Sequence, residues 1–172
     1  MEEQEIVSNA WNLYERGKNY NHMQNLYEEG TTNSVHPSKT VNNQTYLDEI
    51  TENAVDVPGY NKEVPTSATI TIQVEDNVIN FYYTKRTDLS YTVNYLEKGT
   101  DTKLKESKVV DGQVYLSSVT EEAADIAGYN KVEPTSTTIT INVEDNVINF
   151  YYTKKSDLQF VVNYLDEETN EV

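Results

Sequence analysis

Apolar and polar residues alternate with a period of two through most of the chain, the pattern of strands that turn one face to a core. In Tyr91-Thr92-Val93-Asn94-Tyr95 the first, third and fifth residues face one way. In Thr138–Val143 the shared face carries Ile139, Ile141 and Val143, and in Val147–Tyr152 it carries Ile148, Phe150 and Tyr152. Glu144-Asp145-Asn146 separates the last two runs, and Asp and Asn tolerate the left-handed turn geometry, so a hairpin is expected there. Lys98-Gly99-Thr100-Asp101 reads as a second turn, with a strand following near Lys103–Val110. The period changes in two places. Ser118 with Glu121 fits a capping box, and Val119, Ala123 and Ile126 then share a helical face, which predicts a short helix near Ser118–Asp125 ending at Gly128-Tyr129. Ile6, Val7, Ala10, Trp11, Leu13 and Tyr14 recur at helical spacing before Gly17, a C-cap residue. That predicts an amphipathic leader helix over 1–18, docked on the first β-rich unit.

The pattern repeats. Residues 39–103 align without a gap on 108–172, at an offset of 69, and 39 of the 65 pairs are identical. VEDNVINFYYTK occurs at Val74–Lys85 and at Val143–Lys154, and GYNK at Gly59–Lys62 and Gly128–Lys131. The expected organisation is a leader over 1–18, a diverged repeat over 19–86, a second repeat over 88–155, and the first strand of a third over 156–172. The chain then reads as an excerpt of a longer tandem array. Each repeat has the order strand, strand, helix, strand, strand. This gives an α+β, β-rich class in which a short helix crosses a sheet.

Composition narrows the function. The net charge is −16, from 29 acidic and 13 basic residues, which argues against phosphate backbones and so against nucleic-acid partners. Cysteine is absent, which removes disulfides, thiolate metal sites and cysteine nucleophiles. No run approaches the roughly 18 apolar residues of a membrane span, so no membrane insertion is expected. The first residues, Met1-Glu2-Glu3-Gln4-Glu5, carry no basic or apolar leader region.

The unit YTVNYLEKGTD…GYNK…ITINVEDNVINFYYTK resembles the MucBP (mucin-binding protein) repeats of Gram-positive cell-surface adhesins. The likeness rests on the opening strand ending in Asn94-Tyr95, the turn at Gly99, the Gly128-Tyr129 step and the closing Tyr151-Tyr152. It covers Val41–Arg86 and Asp88–Lys155 well and Asn19–Thr40 poorly, where His36-Pro37 replaces strand-like residues. The resemblance implies tandem β-grasp-like (ubiquitin-like) modules, each a mixed sheet with one short helix. It also implies a secreted, cell-wall-attached parent, and partners among host mucin glycans and neighbouring repeats.

Candidate chemistry is sparse. His22 and His36 lack counterparts in the second repeat and are expected on the solvated surface. Glu75-Asp76 and Glu144-Asp145 read as turn residues, with a calcium site as the lesser alternative. No phosphate loop, G-x-S-x-G elbow or metal motif is present, so neither catalytic residues, metal ligands nor cofactors are assigned, and no enzyme is expected. Lys62 and Lys131 recur with Asn80 and Asn149, the residue types of intramolecular isopeptide bonds. Sugars stack on aromatic faces and bond to amides, so Tyr82, Tyr151, Tyr60, Tyr129, Asn80 and Asn149 are the candidate glycan residues. Alternation puts Tyr83 and Tyr152 in the core and leaves Tyr82 and Tyr151 outside. Three functions are consistent with these residues: a stalk that presents a distal binding domain, a module that itself binds mucin or other glycans, and an assembly module working by strand addition through Leu158–Leu165.

Overall fold

A computed structural model describes residues 2–100 and 102–164. Helix α1 spans Glu2–Arg16 and precedes twelve strands among the described residues. The chain divides into two compact units, residues 1–89 and 90–172.

In the first unit the strands are β1 (Tyr20–Glu28), β2 (Ser34–Gln44), β3 (Glu49–Asn53), β4 (Tyr60–Lys62), β5 (Ser67–Thr71) and β6 (Val78–Lys85). Four form a mixed sheet in the order β2-β1-β6-β4. Its central pair, β1 with β6, is parallel, and the outer pairs are antiparallel. The other two, β3 and β5, make a separate antiparallel ribbon. Ala68 and Ile70 of that ribbon pack on the cluster formed by Leu26, Ala54, Val57, Ile79, Phe81 and Tyr83. The ribbon therefore covers one face of the sheet and leaves the other open. Burying a side chain the size of Phe81 is worth roughly 1.5–3 kcal/mol. Tyr83 is fully buried and donates its hydroxyl proton to the Val55 carbonyl at 2.8 Å, which removes the cost of burying the phenol.

The second unit repeats this plan with β7 (Leu89–Glu97), β8 (Lys103–Gln113), β9 (Ser118–Glu122), β10 (Tyr129–Lys131), β11 (Ser136–Thr140) and β12 (Val147–Lys154). Its sheet has the order β10-β12-β7-β8, again with a parallel central pair, and β9 pairs with β11. Tyr152 donates to the Ala124 carbonyl at 2.8 Å, the counterpart of Tyr83. At the Gly-Tyr step Gly59 and Gly128 sit at φ of 83° and 80°, a region that favours glycine, and their carbonyls accept from Arg86 and Lys155.

Five expectations are corrected. Ser118–Glu122 is strand β9, not a helix. Val119 pairs with Ile139, Thr120 with Thr138, and the would-be capping residue Glu121 turns its carboxylate to Tyr91 and Lys108. Among the described residues no helix crosses either sheet. The runs flanking Asn77 and Asn146 alternate as expected but form no hairpin, because β5 and β11 pair in the ribbons while β6 and β12 enter the sheets. The turn residue Asp76 (Asp145) does adopt a left-handed φ of 61° (60°). Pro37 lies within strand β2. It sits on the sheet edge, where pairing slips from Gln24↔Lys39 to Leu26↔His36, so its missing N–H breaks no ladder. The leader is helical, but Ile6, Val7, Trp11, Leu13 and Tyr14 are all exposed, so its apolar side is not docked. Finally, Leu158–Tyr164 forms no strand, and Phe160, Val162 and Tyr164 are exposed; Leu165 and beyond lie outside the described residues.

Candidate functional site

Strand β6 positions the site by alternation. Ile79, Phe81 and Tyr83 enter the core, so Asn80 and Tyr82 stand on the open face of the sheet, with Tyr82 41% exposed. Tyr27 on β1 lies beside Tyr82, with ring centroids 6.4 Å apart. A ladder of polar side chains crosses the same face. Ser38 Oγ donates to Asn25 Oδ1 at 2.7 Å, and Asn25 Nδ2 donates to Asn80 Oδ1 at 3.0 Å. The second unit copies it, with Ser107 Oγ to Asn94 Oδ1 at 2.7 Å and Asn94 Nδ2 to Asn149 Oδ1 at 2.9 Å. Tyr151 matches Tyr82 in position and exposure.

In the first unit this face borders a cleft of about 440 Å³, lined by Tyr82, Asn80, Thr84, Val64, Pro65, Glu29 and Glu63. Thr84 Oγ1 donates to Glu63 Oε1 at 2.7 Å. Neither Glu29 nor Glu63 forms an ion pair with a Lys, Arg or His among the described residues. The structure thus brings Asn80 and Tyr82 together. It does not bring Tyr60, which packs on the core cluster, and Tyr129 is half-buried on the short strand β10. Glu29 and Glu63 are not singled out by the sequence pattern. The offset of 69 carries the signal, since it sets Glu29, Glu63 and Val64 against Lys98, Val132 and Glu133 while Pro65, Asn80, Tyr82 and Thr84 recur. A second concavity, about 570 Å³ and lined by Asn19, Tyr20, Asn21, Asn42 and Asn43, has no charged lining residue.

A second constellation lies under the ribbons. Contrary to expectation His22 is buried, with Nε2 2.9 Å from Glu52 Oε1, and Lys39 Nζ bonds the same carboxylate at 2.7 Å. In the second unit Tyr91 takes the place of His22: its hydroxyl donates to Glu121 Oε1 at 2.5 Å, beside Lys108 Nζ at 2.5 Å. The Lys108 bond, then the Tyr91 bond, hold the Glu121 carboxyl below its usual range, against the effect of burial. For Glu52 burial is the largest single influence and pushes up, but the bonds from Lys39 and His22 together bring the net change downward. The carboxylate raises the Tyr91 phenol in return. These groups cross-link ribbon to sheet.

His36 is exposed, as expected. Lys62 and Lys131 form ion pairs with the exposed Asp56 and Asp125 at 2.8 and 2.9 Å, which is not the buried Lys–Asn–acid arrangement of an isopeptide site. No group of three or more His, Asp or Glu side chains is placed to hold a metal among the described residues. Among them, too, no helix is long and apolar enough to cross a membrane. No protein-family model matches the chain, and no curated protein matches it either.

Proposed function

We propose that the chain is a tandem-repeat segment of a Gram-positive cell-surface adhesin, acting as a stalk that presents a distal binding domain outside the cell wall. The observation that carries this reading is the parallel pairing of the first and last strands in each unit. Parallel neighbours start at the same end, so the chain enters a unit at one end of the sheet and leaves at the other. A nine-residue strand advances it by about 30 Å. An antiparallel pair would instead return the chain to its starting end. The resemblance to MucBP repeats supports the surface location. The order β2-β1-β6-β4, with its parallel centre, supports a β-grasp-like sheet whose crossing helix is replaced by the β3–β5 ribbon.

Single-molecule pulling on the two ends tests the stalk. Two successive unfolding events are expected, each releasing roughly 200 Å of chain for a repeat of this length. Smooth extension without force steps would overturn it. The cleft beside Tyr82 favours a second reading, in which a repeat also binds mucin or another host glycan.

A further inference from the structure

We propose that the cleft beside Tyr82 in the first unit binds an amino sugar carrying a free ammonium group, and that the second unit does not. This rests on the glycan-binding reading and adds the ligand class and the repeat that takes it. The cleft joins an exposed tyrosine face, an amide and two carboxylates. Asn80 Oδ1 is occupied by Asn25, which leaves the Asn80 NH₂ to donate to a ring hydroxyl. One Glu63 oxygen accepts from Thr84, leaving the other, with the exposed Glu29 carboxylate, to receive N–H donors. Neither acid is paired with a cationic side chain among the described residues, so both carboxylates are open to a cationic ligand. An ammonium group within reach of the Tyr82 ring also gains cation–π attraction. A bare lysine side chain would use the ring and the acids but has no hydroxyl for Asn80. The sugar uses all three.

The second unit is the internal control. It keeps Pro134, Asn149, Tyr151 and Thr153, but places Lys98 and Val132 where the first has Glu29 and Glu63; Glu133, which stands in place of Val64, accepts from the Thr135 N–H at 3.1 Å through Oε2. An ammonium ligand would meet a like charge at Lys98.

Heteronuclear NMR titration of the full chain tests this with three probes: the glucosamine disaccharide, its N,N′-diacetyl form, and Nα-acetyl-lysine amide. Saturable shifts are expected at the amides of Glu63, Tyr82 and Thr84 with the free amino sugar only, and none at Val132, Tyr151 and Thr153. Glu29→Gln with Glu63→Gln, both surface changes, should weaken binding at least about fivefold, a typical combined effect of two partly exposed charge contacts. Equal binding of the acetylated disaccharide would overturn the ammonium requirement and leave glycan binding standing. Silence from both sugars would remove both readings. Equal or tighter binding of the lysine amide would assign the cleft to basic peptides, and equal shifts in both units would overturn the difference between repeats.

Discussion

His22 Nε2 lies 2.9 Å from Glu52 Oε1 in the interior of the first unit, and His22 Nδ1 is buried with no hydrogen-bond partner. A buried unpaired polar atom is destabilising, and the second unit avoids one by using Tyr91 at the same position. Replacing His22 by Tyr should therefore raise stability by about 1 kcal/mol, measured by urea unfolding. An unchanged or lowered midpoint would mean that the two interiors differ in more than this side chain.

Asn77 closes the loop before β6 with its amide. Its Oδ1 accepts from Gln73 N at 2.7 Å, its Nδ2 donates to the Gln73 carbonyl at 2.8 Å, and its carbonyl accepts from Met23 N at 2.8 Å. Asn146 repeats the pattern on Asn142 and adds a bond to the Ser90 carbonyl at 3.1 Å. Removing the amide leaves a backbone N–H and C=O without partners. Asn77→Ala should cost about 1–3 kcal/mol, and Asn146→Ala at least as much. A cost near zero for both, read from chemical denaturation, would show that water replaces these bonds freely.

Glu121 titrates lower in the folded protein than in the unfolded chain, because Lys108 and Tyr91 bond its ionised form. A depressed carboxyl contributes stability above its unfolded pKa of about 4.3, and loses it as pH falls through the lower folded value. Glu121→Gln should therefore lower stability at neutral pH and flatten its decline below about pH 4.3. Thermal unfolding from neutral to acid pH reads the slope, and parallel curves for variant and parent would contradict the assignment.

Phe150 and Phe160 are the same residue in opposite surroundings, one 1% exposed and the other 87%. Phe150→Ala should cost about 3–5 kcal/mol. Phe160→Ala should change stability by no more than about 0.5 kcal/mol. A comparable loss for both, in paired thermal melts, would place the tail in the core of the second unit.

The strands that alternate are legible because a half-buried strand leaves a period of two in its own residues: Tyr83 and Tyr152 in, Tyr82 and Tyr151 out. Their partners are not, because alternation names a face and not a neighbour. That is why β5 and β6 read as a hairpin when Ile70 belongs to the ribbon and Ile79 to the sheet. Ser118–Glu122 misleads because Ser, Val and Glu at those spacings satisfy a capped helix as well as a strand, and only the pairing of Val119 with Ile139 decides. His22 looks solvated as a lone histidine, although the offset of 69 sets it on the inward Tyr91. The cleft lies in the differences between the copies, whereas repetition draws the eye to their likeness.

Strands β6 and β12 carry the same eight residues, VINFYYTK. During folding neither can distinguish β1 from β7 by its own side chains, and adjacent like repeats are prone to misassembly through exchanged strands. The discrimination falls to the opening strands. The inward residues of β1 are His22, Gln24 and Leu26, and those of β7 are Tyr91, Val93 and Tyr95. His22 meets Glu52 and Gln24 bonds the Asn53 carbonyl at 2.9 Å, and the second ribbon offers the equivalent Glu121 and the carbonyl of Glu122. Were β1 to slide into the second unit, the polar Gln24 would have to fit the space that the smaller, fully buried Val93 fills. What opposes exchange is therefore the size and polarity of the inward side chains on the opening strands, since the ribbon groups that they meet are alike in the two units.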